Sequence, residues 1–168
     1  MSYGLKDFAT DCRNALKADP GPAGRQKIRE TLERALKDPE FIAANIDPAA
    51  KAERRLLYED PDFGFCILAH AYPSGTGVPP HDHGPSLAIY GQASGHTEMT
   101  DWSLVEAPAD GKPGKVKSTR TYVITPGNAH VYNERDLHSP RWTVDARLIR
   151  VEGTNMTKVK RDKFEAVA

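Results

Sequence analysis

The sequence predicts a mainly β domain, closed into a barrel or stacked as a sandwich, behind a helical N-terminal segment. Three observations carry this expectation. Apolar residues recur at helical spacing only over about the first fifty positions. From Arg54 the pattern changes to short runs rich in β-branched and aromatic residues, broken by Gly, Pro and Asp. At least six such runs follow with no helical pattern between them, which implies a closed or sandwiched β architecture. The expected division is a helical segment over residues 1–50 packed on the β domain, the β domain over 51–156, and a tail or edge strand over 157–168.

The elements follow in order. Leu5, Phe8, Ala9, Cys12, Ala15 and Leu16 form one apolar stripe, so residues 3 to about 18 read as a helix, stopped by Asp19-Pro20-Gly21-Pro22. Ile28, Leu32, Ala35 and Leu36 mark a second helix with Arg, Lys and Glu opposite. Asp38-Pro39-Glu40 restarts the chain: an N-cap aspartate, proline at the first helical position and an acid in the first turn. The third helix is short and holds Phe41, Ile42 and Ile46. The strand runs are RRLLYED, FGFCILAHAY, SLAIYGQ, HTEMTDWSLVE, KVKSTRTYVITPG and RWTVDARLIRVEG, with a short strand from His130 to Asn133 and a polar hairpin loop at APADGKPGK.

Bulk composition removes several function classes. A chain of 168 residues fits one domain. Lys plus Arg and Asp plus Glu both number 23, so no net field favours nucleic acid or an anionic membrane. No apolar run approaches a membrane span and no signal-peptide pattern opens the chain, so a cytoplasmic protein is expected. Cys12 and Cys66 lie far apart and form no C-x-x-C; they read as reduced, partly buried thiols. The expected partner is a small-molecule substrate, with the protein a monomer or homodimer.

The chemistry gathers around Pro79-Pro80-His81-Asp82-His83-Gly84. On a strand, side chains alternate faces, so His81 and His83 point one way and Asp82 the other. Two imidazoles on one side of a strand are ready to share a metal ion. Thr125-Pro126-Gly127-Asn128-Ala129-His130 supplies a third histidine after a Pro-Gly turn. His81, His83 and His130 are therefore the expected ligands of one divalent metal, with His138 or Glu98 next in line should His130 not complete the site. Three neutral imidazoles suit first-row metals from iron to zinc. His138, in the polar run NERDLHSPRW, is expected near the barrel mouth as an acid–base group or a partner to a ligand. Tyr90 and Tyr132 can point inward and offer hydroxyls. His70 reads as a hydrogen-bonded core residue and His96 as a surface one.

Gly75, His81-x-His83 and Gly95 together resemble the first motif of the cupin superfamily, and Pro126-Gly127-x-x-His130 resembles the second. The resemblance covers roughly residues 52 to 152 and implies a double-stranded β-helix, the cupin or jelly-roll barrel. Many cupins carry a glutamate ligand five residues after the second histidine; Ala88 stands there, so a three-histidine set is implied. The HDH wording and the helices ahead of the barrel are similar to the cysteine dioxygenase-like cupins. That family's Ser-x-His-x-Tyr strand has no counterpart at Arg147 to Val151. The resemblance implies a mononuclear non-haem iron(II) dioxygenase acting on a small carboxylate-bearing substrate, a thiol among the candidates. Zinc, nickel or manganese, or a cupin that binds metal and ligand without turnover, are the alternatives. In the family an arginine on the strand leading into the metal strand holds the substrate carboxylate, which implies Arg55 here, with Tyr90 beside the substrate. Arg54 and Arg55 are neighbours on one strand, so only one of them can point inward.

Overall fold

The apolar stripes at the N-terminus fold as their spacing requires. In the computed structural model, which describes residues 2–168, α1 spans Leu5–Ala18, α2 Pro22–Leu36 and α3 Pro39–Asn45. α1 buries Phe8, Ala9, Cys12 and Ala15. Asp38 caps α3, its carboxylate accepting from the Glu40 amide at 2.9 Å, and Pro39 takes the first helical position, where no N–H is needed.

Ten strands follow: β1 Glu53–Glu59, β2 Cys66–Tyr72, β3 Thr76–Gly77, β4 Ala88–Ser94, β5 Thr97–Glu106, β6 Gly114–Ile124, β7 Ala129–Tyr132, β8 Leu137–Trp142, β9 Ala146–Glu152 and β10 Phe164–Ala166. They build two five-stranded sheets in the orders β1-β2-β9-β4-β7 and β10-β6-β5-β8-β3. β10 joins β6 in parallel, at a sheet edge; β2–β9, β4–β9, β4–β7, β5–β6, β5–β8 and β3–β8 are antiparallel. Within these sheets β2-β9-β4-β7 faces β3-β8-β5-β6. Apart from the β5–β6 hairpin, every step of the chain from β2 to β9 crosses from one sheet to the other. That nesting is the eight-stranded jelly roll, a double-stranded β-helix.

Two cores result. Phe8, Ile28, Leu32 and Phe41 of the helices pack on Ile67, Ala69, Ile89, Ile149 and Val151, the outer side of the first sheet. Tyr90, Tyr132 and Leu148 meet Met99, Ile124 and Trp142 between the sheets. The first sheet is thus covered on both faces, which is why β2 reads CILAHAY with almost no polar alternation. Gly91 lets α2 approach: a Cβ there would stand 2.6 Å from the Leu32 side chain and 3.0 Å from the Ile149 carbonyl. The thiols are free and buried on α1 and β2, and burial pushes that of Cys66 up to about 11.

Two stretches depart from the expected elements. The run RWTVDARLIRVEG is not one strand: β8 ends at Trp142, the chain turns at 143–145, and β9 begins at Ala146. The stretch NERDLHSPRW is not all loop, because β8 starts at Leu137 and carries His138. Among the described residues, no helix is long and apolar enough to cross a membrane.

Candidate metal centre

His81 is joined to His138 by reciprocal backbone hydrogen bonds, His81 N–H to the His138 carbonyl at 3.0 Å and the reverse at 2.9 Å. This bridge sets the H-x-H segment beside β8, in the space between the sheets. The ring centroids lie 4.5 Å apart for His81–His138, 5.1 Å for His83–His138 and 5.4 Å for His81–His83. One ligating nitrogen from each of the three falls within 4.8 Å of the others. The H-x-H itself is not regular strand: only His81 is paired, and the chain turns through Gly84 directly after His83.

The protonation pattern fits a metal. The Nδ1 of His81 lies 2.9 Å from the Pro79 carbonyl and that of His138 2.9 Å from the Asp136 carbonyl. A carbonyl only accepts, so each Nδ1 carries the proton and each Nε2 keeps a lone pair. Burial is the main force holding these rings neutral: it lowers His81 to about 4, His138 to about 2 and His83 further. Neutral imidazoles are the form a metal requires. The buried Nδ1 of His83 has no hydrogen-bond partner, an orphaned ligand-type atom inside the cluster. Three histidines of this kind fit one divalent ion.

Tyr90 points between the sheets. On the inward face of β4 and fully buried, it sets its hydroxyl 3.2 Å from Nε2 of His83 and 3.2 Å from Nε2 of His138. His130 does not join the trio. It points inward from β7, but the Tyr132 ring stands between, 4.7 Å from His130 on one side and 4.1 Å from His138 on the other. His130 packs instead against Tyr122, ring centroids 5.0 Å apart. The third histidine of the group is His138. Glu98 takes no part; it is paired with Arg141 at 2.6 Å.

The strand phase of Arg55 is also corrected. In the β1–β2 register Arg54 faces His70 and Arg55 faces Ala69, and Ala69 belongs to the helix side. Arg55 accordingly bonds Glu53 at 2.7 Å and the Asn45 carbonyl at 3.0 Å, away from the histidines. Arg54 lines the cavity.

That cavity, of about 280 Å³, opens beside His81, His83 and Tyr90. Its walls carry three guanidiniums, Arg54, Arg150 and Arg161, against the single carboxylate of Glu152. Arg150 was not singled out in the sequence. It is buried, 2.9 Å from the Tyr72 hydroxyl, 3.5 Å from Glu152 and 4.1 Å over the Tyr90 ring. The Tyr72 hydroxyl also contacts Nδ1 of His70 at 2.8 Å. The one arrangement that uses every proton has Arg150 donating to Tyr72 and Tyr72 donating to His70. The proton of His70 then sits on Nε2, which is buried and unpartnered at the cavity. Its alternation with Leu148 in ARLIRVE is the only sequence sign that Arg150 shares an inward face.

Fold and site together define a double-stranded β-helix with a three-histidine candidate metal centre. No protein-family model matches the sequence, and no curated protein matches it. Solved structures with this architecture are similar at low identity. The conserved protein SPY1581 from Streptococcus pyogenes, of unknown function, is 15% identical, with TM-score 0.48 over 68% of this chain and 83% of that one. The Cnp3 cupin domain of Schizosaccharomyces pombe is 12% identical, with TM-score 0.48 over 66% and 73%. A conserved Klebsiella pneumoniae protein with a double-stranded β-helix domain is 9% identical, with TM-score 0.49 over 71% and 90%.

Proposed function

We propose that the chain is a mononuclear metal-dependent enzyme, a non-haem iron(II) dioxygenase acting on a small carboxylate-bearing substrate. The observation that carries this reading is the contact between two features. Three neutral histidines converge on one point, and the cavity beside them is walled by arginines.

A divalent ion on three neutral imidazoles keeps its full formal +2 charge, so an anionic substrate group completes the charge balance, and iron(II) would supply the electrons for dioxygen chemistry. The chain's own residues supply the rest. Arg150, oriented by Tyr72 and Glu152, offers a carboxylate a charge-assisted contact in a buried setting. Arg54 and Arg161 add positive potential that draws anions in. Tyr90 places a hydroxyl, held protonated because burial raises it, against the histidines and within reach of a bound group. A space of about 280 Å³ admits only a small molecule.

The test is oxygen uptake by iron(II)-loaded protein offered a panel of small carboxylates and their decarboxylated counterparts. Uptake with carboxylates alone, lost in His138→Ala, is expected. No uptake with any of them, together with carboxylate binding by the zinc-, nickel- or manganese-loaded protein, would transfer the site to a different chemistry or to binding alone.

A further inference from the structure

Among the described residues, six buried side-chain nitrogen or oxygen atoms have no hydrogen-bond partner. Four of them, on His70, His83, Arg150 and Glu152, belong to residues that line the one cavity beside the histidines. Buried polar groups are normally paired, and this set of orphans, on residues that line one cavity, lacks partners that the protein itself does not supply. The His83 atom belongs to the metal group; the other three describe something else. His70 Nε2 and Arg150 Nε are donors, so they ask for acceptors. Glu152 Oε2 is an acceptor, so it asks for a donor. All three residues are more than nine-tenths buried, at 5%, 7% and 2% exposure.

Resting on the small-carboxylate reading above, we propose that the cavity selects a 2-hydroxycarboxylate. Its carboxylate lies on Arg150 and His70, and its hydroxyl donates to Glu152. Arg150 and Glu152 leave β9 two residues apart on one face, with their charged ends 3.5 Å apart. The ligand's acceptor and donor therefore sit close together, and groups on adjoining carbons fit this arrangement. A hydroxyl fits better than an ammonium group. Arg150 already pairs Glu152, and three guanidiniums face the cavity against one carboxylate, so a second cation is repelled. A bare carboxylic acid leaves Glu152 Oε2 buried and unpaired, which is the means of rejecting it.

Lactate, propionate and alanine test this directly, because they share three carbons and differ only in the group at carbon 2. Each is titrated calorimetrically, without dioxygen, into chelator-treated protein and into zinc-loaded protein. Metal-free wild type should bind lactate at least about tenfold more tightly than propionate, with alanine no better than propionate. Glu152→Met, close in size and without an acceptor, should lose the lactate advantage while propionate affinity stays within about threefold. Equal affinity for lactate and propionate overturns the proposal, as does a preference for alanine. A lactate preference that appears only with zinc also overturns it, because the hydroxyl would then be held by the metal. The wild-type comparison decides even if the variant does not fold. Binding without dioxygen is independent of turnover, so a lactate preference stands if the dioxygenase reading fails; if no carboxylate binds at all, both fall together.

Discussion

Replacing His138 by alanine should cost the protein its metal, whereas replacing His130 should not. His138 is fully buried, donates from Nδ1 to the Asp136 carbonyl at 2.9 Å, and stacks on Tyr132 at 4.1 Å and 26°. Losing the hydrogen bond and stranding its acceptor costs about 1–2 kcal/mol, and losing the stacked ring about 1 more. With the void left behind, His138→Ala should be about 2–4 kcal/mol less stable, a fall in Tm of roughly 5–15 °C for a chain of this size. The metal effect should be larger. Disturbing a ligand's hydrogen-bond partner alone typically weakens metal binding about 10–100-fold, and removing one of three ligands should exceed that. His130 lies behind the Tyr132 ring, so His130→Ala should leave metal affinity within about twofold. Chelator competition with zinc or cobalt, read by elemental analysis, measures both variants, and calorimetry separates metal loss from unfolding. If His130→Ala loses the metal while His138→Ala keeps it, the grouping around β8 is wrong.

Carboxylate binding should follow Arg150 and not Arg55. Arg150→Met should weaken small-carboxylate affinity by about one to two orders of magnitude in titration calorimetry, while Arg55→Ala leaves it unchanged; the opposite result would restore the outward-facing arginine as the anchor. Burial, aided by Arg150 and Arg54, lowers His70 to about 2, and Tyr72 is its hydrogen-bond partner. The unfolded chain binds a proton there near 6.5 and the folded protein does not, so this stability is complete above pH 6.5 and lost as pH falls below it. His70→Gln should make the stability profile between pH 6 and 4 shallower by about 1.4 kcal/mol per pH unit in urea titrations, and an unchanged slope would show that His70 titrates normally. Gly91→Ala should lower stability by about 1–3 kcal/mol, since its Cβ would meet Leu32 at 2.6 Å; denaturant melts with an unchanged midpoint would mean that α2 shifts freely.

The barrel was legible because its signals are local. Alternation and turn residues mark β4, β5 and β6, and the Asp38-Pro39 restart marks α3 to the residue. The H-x-H was legible as a pair, since two histidines one residue apart carry their own geometry. The third member was not. β7 and β8 each present an inward histidine, and only the pairing of His81 with His138, which continues the β3–β8 ladder, decides between them. Pro140 and the run Asn133-Glu134-Arg135-Asp136 carry loop chemistry, which concealed β8 from a reading by propensity. Arg55 failed for a related reason. β1 is a largely exposed sheet edge on which Leu56 and Leu57 give no phase, and only the register against His70 and Ala69 assigns inside and outside. Arg150 lies between Ile149 and Val151 in a strand that also carries Arg147 and Glu152, where a charge reads as a surface position.

The reciprocal bridge between His81 and His138 also fixes when the centre can come into being. Its two halves are far apart in the barrel sequence, with β4, β5, β6 and β7 between them. Closing so long a loop comes late in folding, after the intervening strands have paired. A cation can therefore not template the chain's collapse, because its binding place does not exist until β8 has paired with the segment after β3. It arrives at a barrel already shut, and its whole effect falls on the rate of reopening: folding proceeds at the same pace with or without it, while unfolding slows in proportion to its concentration.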